Sequence, residues 1–337
     1  IKTNEVMCII LLNEEKFDVV TDGDFIEKGN KVYGKYCVLS FTHSNASYMQ
    51  IMRNKNAESI TLALRHIFEY LNGVPHTIWF DNDTAIVKIE IEENHIKKRT
   101  ICDTFQRFKL YYDFQEVFLN VMRPNEKGTV EQGVRFMRRN LLVPLPSFDD
   151  FDLFNKELLD KSKELLKREH YVLKQPIIDL HFEDITELNG LPPTPFESSS
   201  VSFRKLDNYG RLTTEGRLYY YLSPSLAYQK VQVKFLPDTL EIYDEDGRHI
   251  MNVPRLSAAK GARYINWSPY IRLLAVKPAA LYNFSFLDLF TDTEIVERIT
   301  KLNSYDLKIF LEKFADMIDS AGLNEAINKV TTLLKDD

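Results

Sequence analysis

The 337-residue chain is predicted to begin with a mixed α/β core, continue into a small β-rich domain and end in a helical region. Three observations predict this order. Apolar runs typical of strands alternate with helix-period runs over the first 145 residues. Short β-rich runs separated by turn residues follow a proline-rich stretch at residues 191–200. From about Ala258 onward the pattern is mostly helical.

The α/β prediction depends on the elements of the first 145 residues. Residues 33–41 and 47–52 read as adjacent strands joined by a polar turn. A helix follows, with Asn56 as its N-cap and Gly73 just past its end. Its apolar face is formed by Ile60, Leu64, Ile67, Phe68 and Leu71. The run 77–80 fits a buried strand, and Asp81-Asn82-Asp83 comes directly after it.

The rest of the core continues the alternation of helices and strands. Ile101, Phe105 and Phe108 mark a helix, and residues 114–121 mark a strand. Residues 123–128 are predicted to form a turn and residues 129–140 a helix.

The second half of the chain is predicted from its helix caps, turns and linker. Residues 147–169 are predicted to form an amphipathic helix in which Ser147 and Asp150 resemble a capping box. The β-rich runs 217–222, 230–235 and 240–243, with Asp246-Gly247 as a hairpin turn, suggest a small barrel. The predicted domains are a core (1–145), a connecting helical region and linker (146–195), a β-barrel domain (196–257) and a helical end (258–337), with the proline-rich stretch 191–200 as the best linker.

Composition excludes several classes of protein. No apolar run is long enough for a membrane span, and the three cysteines form neither a disulfide framework nor a zinc pattern. There is no Walker motif and no Ser/His/Asp or Cys/His arrangement. The net charge of −6 argues against a nucleic-acid partner, but its distribution does not. Residues 121–145 carry +3 and 201–277 carry +5, whereas 278–337 carry −5.

Acidic residues of the core are the candidates for chemistry. Asp81 ends an apolar strand, where α/β folds place their ligands. Glu131 shares a helix face with Arg135, Arg138 and Arg139. Asp18 precedes the first strand pair, with Asp22 and Asp24 as competitors. Ordinary explanations stay open for each: an Asx turn at 81–83, an ion-paired surface helix at Glu131 and a solvated loop around Asp18.

Three carboxylates from separate elements suit a two-metal site for phosphoryl transfer. Mg²⁺ prefers hard oxygen ligands, and Mn²⁺ can replace it. Two such ions can activate an attacking oxygen and stabilise a leaving one. The arginines on the Glu131 face would then hold a phosphate backbone.

Three segments resemble one family of DNA transposases. Residues 123–142, Arg-Pro-Asn-Glu-Lys-Gly-Thr-Val-Glu-Gln-Gly-Val-Arg-Phe-Met-Arg-Arg-Asn-Leu-Leu, look like the region of its third catalytic acid. Residues 68–75 with Phe80-Asp81-Asn82 resemble the region of the second acid, and residues 14–18 that of the first. The family is the IstA-like transposases of the twenty-one-type insertion sequences, within the DDE transposase and retroviral-integrase-like superfamily. The resemblance covers roughly residues 13–275.

The resemblance implies a fold, a site and an activity. The core would be ribonuclease-H-like (integrase-like), with Asp18, Asp81 and Glu131 holding two Mg²⁺ ions. The activity would be cleavage at transposon ends and joining of the 3′ hydroxyl to target DNA. Arg123 and Lys127 would contact DNA together with the three helix arginines. The sequence departs from the family pattern at Val19-Val20, at Gln132 and in lacking a lysine shortly after Asp81-Asn82.

The resemblance also implies partners and a setting. DNA, further copies of the chain and an AAA+ ATPase helper would be the partners, in the cytoplasm of a bacterium and in association with the nucleoid. The chain begins at Ile1, and we expect the end-recognition domains of the family to lie upstream of it. Two alternatives remain: a catalytically inactive DNA-binding or assembly protein of the same fold, and a nuclease of the ribonuclease-H class.

Overall fold

The computed structural model describes residues 7–12, 24–80, 83–91, 97–118, 124–256, 262–283 and 285–336. Its strands up to residue 148 are β1 (Met7–Leu12), β2 (Asp24–Glu27), β3 (Asn30–Tyr33), β4 (Lys35–Phe41), β5 (Ser47–Met52), β6 (Thr77–Phe80), β7 (Val87–Ile91), β8 (Lys97–Ile101), β9 (Gln115–Phe118) and β10 (Ser147–Phe148). Its later strands are β11 (Ser200–Lys205), β12 (Arg211–Thr214), β13 (Leu218–Tyr221), β14 (Lys230–Phe235), β15 (Thr239–Tyr243), β16 (His249–Pro254) and β17 (Arg263–Ile265). Its α-helices are α1 (Ala57–Leu71), α2 (Asp103–Tyr112), α3 (Pro124–Leu141), α4 (Phe151–Glu164), α5 (Ile177–Thr186), α6 (Trp267–Val276), α7 (Thr293–Lys301), α8 (Ser304–Ala321) and α9 (Leu323–Asp336).

Two compact units divide the chain. One comprises Ile1–Val201 with Lys234–Glu241, and the other comprises Ser202–Val233 with Ile242–Asp337. Among the residues that the structure describes, no helix combines the length and apolar character that crossing a bilayer demands.

The first unit is built on a five-stranded mixed sheet, so the predicted mixed α/β core is confirmed. The strand order is β5-β4-β1-β6-β9. β1 pairs antiparallel with β4, and β4 antiparallel with β5. β6 runs parallel to β1, and β9 runs parallel to β6. The predicted strands 47–52 and 77–80 are β5 and β6, and the predicted cap Asn56 accepts a hydrogen bond from the Ser59 amide at 2.8 Å.

The two faces of this sheet carry separate apolar clusters. On one face α1 and α2 bury aromatic side chains that include Phe68, Phe80 and Phe108. On the other face α3 and α4 cover Val38, Met49 and Ile51. Side chains alternate between the faces along each strand, so a single sheet supplies both clusters.

The end of α1 differs from its prediction. Asn72, not Gly73, takes the left-handed conformation, with φ at 52°. A Cβ built on Gly73 would lie 2.6 Å from the Leu188 Cβ. The glycine is therefore required by a close approach of the chain at Leu188 rather than by its own backbone angle.

Two predictions near α3 and α4 were wrong. The predicted turn at 123–128 is helical from Pro124, because proline is tolerated in a first turn, where no amide donor is needed. The predicted cap Ser147 instead begins β10, which pairs with β2. α4 begins at Phe151, and Asp150 is its cap, accepting from the Leu153 amide at 2.9 Å.

The predicted linker 191–200 lies on the core rather than free of it. Phe196 is buried, and its ring centroid is 5.3 Å from that of Phe108. Arg107 donates to the Ser199 carbonyl, and Tyr111 donates to the Thr194 carbonyl at 2.6 Å. The proline-rich composition therefore marks an irregular but anchored segment.

The β-rich segment forms two sheets. β11, β14, β15 and β16 make one, in the order β11-β14-β15-β16, and β12, β13 and β17 make the other. The predicted turn at Asp246-Gly247 joins β15 and β16, with Gly247 at φ 80°. No closed barrel is found within the described residues, so the barrel remains a prediction.

The C-terminal region is helical, as its periodicity predicts. α6, α7, α8 and α9 surround a separate apolar cluster that includes Phe286, Leu311 and Phe314. Arg272 on α6 donates to Asp316 at 2.9 Å and to Asp319 at 2.6 Å on α8. These exposed ion pairs neutralise part of the negative charge of this region.

Candidate active site and nucleic-acid interface

Three parallel strands of the core sheet run side by side, and two of them, β6 and β9, end at paired residues. Ile10 of β1 lies opposite Phe80 of β6, and Phe80 lies opposite Phe118 of β9. The carboxyl ends of parallel strands in α/β sheets are where ligands bind. Asp81 is the residue that follows β6.

The predicted acids fall largely outside what the structure describes. Asp18, Asp22 and Asp81 lie outside the described residues, as does Arg123. Asp24 is the first residue of β2. Glu131 and Lys127 lie in α3, where their backbone is described and their side chains are not. The convergence of the three acids therefore stays a prediction.

The helix that carries Glu131 is anchored across the core sheet. α3 lies against β1, β4 and β5. A Cβ built on Gly133 would lie 3.8 Å from the Ser40 Oγ and 3.9 Å from the Ser47 Oγ. Val134 and Met137 are buried in the cluster below the helix. Glu131 thus sits two residues before a point where the helix backbone comes close to the sheet.

The three predicted arginines of α3 meet at one concavity. It has a volume of about 550 Å³, and its described lining is Arg135, Phe136, Arg138, Arg139 and Val143. Arg135 and Arg139 are exposed. The three arginines thus border one concavity, which suits an extended anion, while the face that they share with Glu131 stays a prediction.

Arg168 is a further cation beside this helix, and no local sequence pattern marks it. Its guanidinium carbon lies 3.7 Å from the centroid of the Phe136 ring, a cation–π distance. It also donates to the Asn45 carbonyl at 3.4 Å. Burial lowers the pKa of Arg168, because desolvation disfavours its charged form. Phe136 thus contacts the half-buried Arg168 and also lines the concavity of the α3 arginines.

Asp83 shows that the Asx-turn alternative holds for one of the acids after β6. Its Oδ1 accepts from the Ala85 amide at 2.8 Å, and its Oδ2 lies 2.9 Å from the Lys55 Nζ. Both oxygens are therefore engaged within the protein. Lys55 was missed by sequence reasoning, because it is 28 positions away from Asp83 and stands in no motif.

A second basic surface lies on the sheet of the β-rich segment. β11 and β14 are adjacent strands, and the Leu206 amide, next to Lys205, donates to the carbonyl of Gln229, next to Lys230, at 2.9 Å. Both lysines are exposed, and the Lys230 Nζ lies 5.3 Å from the centroid of the Phe203 ring. Exposed lysines beside an exposed aromatic ring form a surface that suits a nucleic acid.

The donor chemistry of the predicted acids fits magnesium. Three carboxylates offer only hard oxygen atoms, which Mg²⁺ prefers to the nitrogen and sulfur ligands that zinc takes. Within the described ranges no group of three His, Cys, Asp or Glu side chains could hold a metal ion. The fit therefore concerns the types of ligand atom that these acids offer.

Comparison with known proteins supports the resemblance on sequence. No family model matches the chain. A transposase of Aminobacter aminovorans is 27% identical over 256 residues, which cover 73% of this chain and 49% of that protein. Transposases for an IS21 element of Pseudomonas aeruginosa and an IS21-like element of Bacteroides fragilis are 25% and 24% identical, over 66% and 74% of this chain. The predicted similarity to twenty-one-type transposases is confirmed, and the chain spans about half the length of these relatives.

Solved structures give a weaker likeness. The catalytic core domain of BIV integrase is 11% identical, with a TM-score of 0.33 over 52% of this chain and 93% of that one. A TM-score of this size is too low to establish a common fold.

Proposed function

We propose that this chain contains the catalytic core of a DDE-type DNA transposase. It would cut the 3′ end of an insertion sequence and join that end to target DNA by metal-dependent phosphoryl transfer. The observation that carries the proposal is the similarity to three transposases over 66–74% of the chain. The mixed sheet and the position of α3 across it are what a ribonuclease-H-like core with these acids requires.

In this proposal Asp18, Asp81 and Glu131 hold two Mg²⁺ ions. Side chains alternate along a strand, and Trp79 of β6 packs in the cluster beneath α3. The same alternation would put Asp81 on the face that α3 covers, which is where Glu131 is carried. When bound, the ions would supply charge neutralisation at the phosphodiester and an activated oxygen nucleophile. Asp83 would take no part, because both of its oxygens already have donors.

The arginines of α3 would position DNA beside these acids. Arg135, Arg138 and Arg139 line one concavity, and guanidinium groups bind phosphate oxygens through paired donors. Contacts of this kind hold the DNA backbone without reading its sequence. Arg123 and Lys127 would extend this surface toward the start of the helix, and Lys205 and Lys230 would form a second contact area in the β-rich segment.

The proposal extends to partners. Joining two transposon ends in one event calls for at least two copies of the active chain. An AAA+ ATPase helper would select target DNA, and the acidic C-terminal helices offer a surface for it. The setting would be the bacterial cytoplasm near the nucleoid.

A joining assay tests the proposal against its two alternatives. The chain is incubated with Mn²⁺, a supercoiled plasmid and a short labelled duplex with a free 3′ hydroxyl. Covalent transfer of the label to the plasmid is the expected result. Binding of the duplex without transfer favours an inactive assembly protein. Hydrolysis of an RNA–DNA hybrid without transfer favours a nuclease.

The identity of the first acid requires its own comparison. Asp18→Asn, Asp22→Asn and Asp24→Asn are made singly, and joining is measured for each. Only Asp18→Asn is expected to abolish joining. If Asp22→Asn or Asp24→Asn abolishes joining while Asp18→Asn does not, the assignment moves to that residue.

A further inference from the structure

A buried ion pair fixes the chain just after the proposed metal ligand Asp81. The Lys55 Nζ lies 2.9 Å from the Asp83 Oδ2, and the two side chains are only 15% and 7% exposed. Lys55 stands between the end of β5 and Asn56, the cap of α1. Asp83 stands two positions after Asp81. The pair therefore ties the connection after β6 to the start of the central helix.

Asp83 is held by more than the lysine. Its Oδ1 accepts from the Ala85 amide at 2.8 Å. Its carbonyl oxygen accepts from the amides of Ile86 at 3.1 Å and Val87 at 2.9 Å. Side chain and backbone are thus both restrained, which leaves little freedom at this point of the chain.

The other end of the pair is equally well anchored. Asn56 caps α1 through the Ser59 amide, and the Ile60 amide donates to the Asn56 carbonyl at 3.0 Å. Ile60 and Leu64 of α1 are fully buried in the core cluster. Lys55 therefore projects from a fixed point of the fold.

A contribution to folding stability does not by itself explain why a buried ion pair is present here. Desolvation of two charges cancels much of their attraction, so buried ion pairs add little net stability. Removing one partner is costly, because it leaves the other charge buried and uncompensated. A buried ion pair of this kind is most useful where it fixes the positions of nearby backbone and side chains.

We propose that Lys55 and Asp83 are positioning residues that set the carboxylate of Asp81 for metal binding. Lys55 also pairs with the Asp83 carboxylate. Without this pairing, Asp83, two positions after Asp81, would be a competing ligand for the metal ion. This inference rests on the proposed function, since it takes Asp81 as a metal ligand. Residues that orient metal ligands typically change metal affinity or activity about 10- to 100-fold when they are replaced.

Binding of Mn²⁺ to the full chain, measured by electron paramagnetic resonance, tests the inference without turnover. Lys55→Met is expected to weaken Mn²⁺ binding about 10-fold or more, and Lys55→Arg, which keeps the charge, should restore most of the affinity. Lys109→Met is the matched control. Lys109 pairs with Glu116 in the same unit, and both are largely buried (23% and 15% exposed). This control should lower thermal stability and leave Mn²⁺ affinity unchanged.

A second variant keeps the test valid if Lys55→Met fails to fold. Lys55→Met with Asp83→Asn removes both charges, retains an oxygen that can accept from Ala85 and should still show the weakened Mn²⁺ binding. Wild-type affinity in a folded variant that lacks the pair overturns the inference. If Asp81→Asn abolishes binding in the same series, the proposed function survives that result. Wild-type Mn²⁺ binding by Asp81→Asn would instead contradict the proposed function and the inference with it.

Discussion

The side chain of Asn155 serves as a strand partner for Ile51. Its Oδ1 accepts from the Ile51 amide at 2.8 Å, and its Nδ2 donates to the Ile51 carbonyl at 3.1 Å. Ile51 lies on β5, the edge strand of the core sheet, whose backbone groups would otherwise lack partners. Asn155 is buried on α4, so its amide caps the sheet edge at Ile51 and attaches the helix to it.

Replacing this amide should destabilise the first unit. Asn155→Leu leaves a buried donor and a buried acceptor unsatisfied, which costs about 1–3 kcal/mol for each group. We expect the free energy of unfolding to fall by about 3 kcal/mol, measured by urea denaturation. Asn140→Ala is the control, because Asn140 is exposed and makes one bond to the Phe136 carbonyl of its own helix. Equal losses in the two variants would contradict this account of the sheet edge.

Stability should fall in acid because of His66. Burial lowers the pKa of this imidazole to about 4, helped by the positive charge of Arg65 and Lys156 and opposed by Asp152. In the unfolded chain the pKa is near 6.5, so the unfolded state takes up the proton first as pH falls. Folding stability should therefore decline from about pH 6.5 toward pH 4, by at most about 3 kcal/mol.

The variant His66→Gln isolates this contribution. The Nδ1 of His66 lies 3.2 Å from the Gln50 Oε1. The side-chain amide introduced at position 66 can donate to the same oxygen, and it does not titrate. The difference in unfolding free energy between the two proteins, measured by urea denaturation at several pH values, should shrink between pH 6.5 and 4. A constant difference over that range would show that His66 is not the titrating group.

The arginines of α3 should control the salt dependence of DNA binding. Arg138→Ala with Arg139→Ala removes two phosphate contacts and should lower the slope of log affinity against log salt by about 2. Duplex binding is measured by fluorescence anisotropy from low to moderate salt. Arg298→Ala with Lys301→Ala is the control, because those cations on α7 already pair with Glu294 and Glu297. An unchanged slope in the α3 variant would return these arginines to ordinary solvated surface.

The sequence predicts local features of this fold better than long-range ones. β5, β6 and the cap Asn56 were predicted because their signals lie within a few residues. The proximity of Arg138 and Arg139 was predictable because they are adjacent on one helix. Ser147 was misjudged as a cap because its pairing through β10 with β2 joins segments about 120 positions apart.

The same limit applies to the candidate site. The similarity to known transposases follows from contiguous motifs, so sequence alone could reveal it. Lys55 and Arg168 act through contacts with Asp83 and with Phe136, which are distant in sequence. No local pattern marks either cation, and the folded chain was needed to find them.

Joining of a labelled 3′ end by the variants Asp81→Asn and Glu131→Gln tests the central claim most directly. Each substitution removes one proposed metal ligand while keeping the size of the side chain. We expect both to abolish joining, with duplex binding retained, while Glu126→Gln on the same helix joins at the wild-type rate. Joining at the wild-type rate by Asp81→Asn or by Glu131→Gln would contradict the assignment of these acids to the catalytic site.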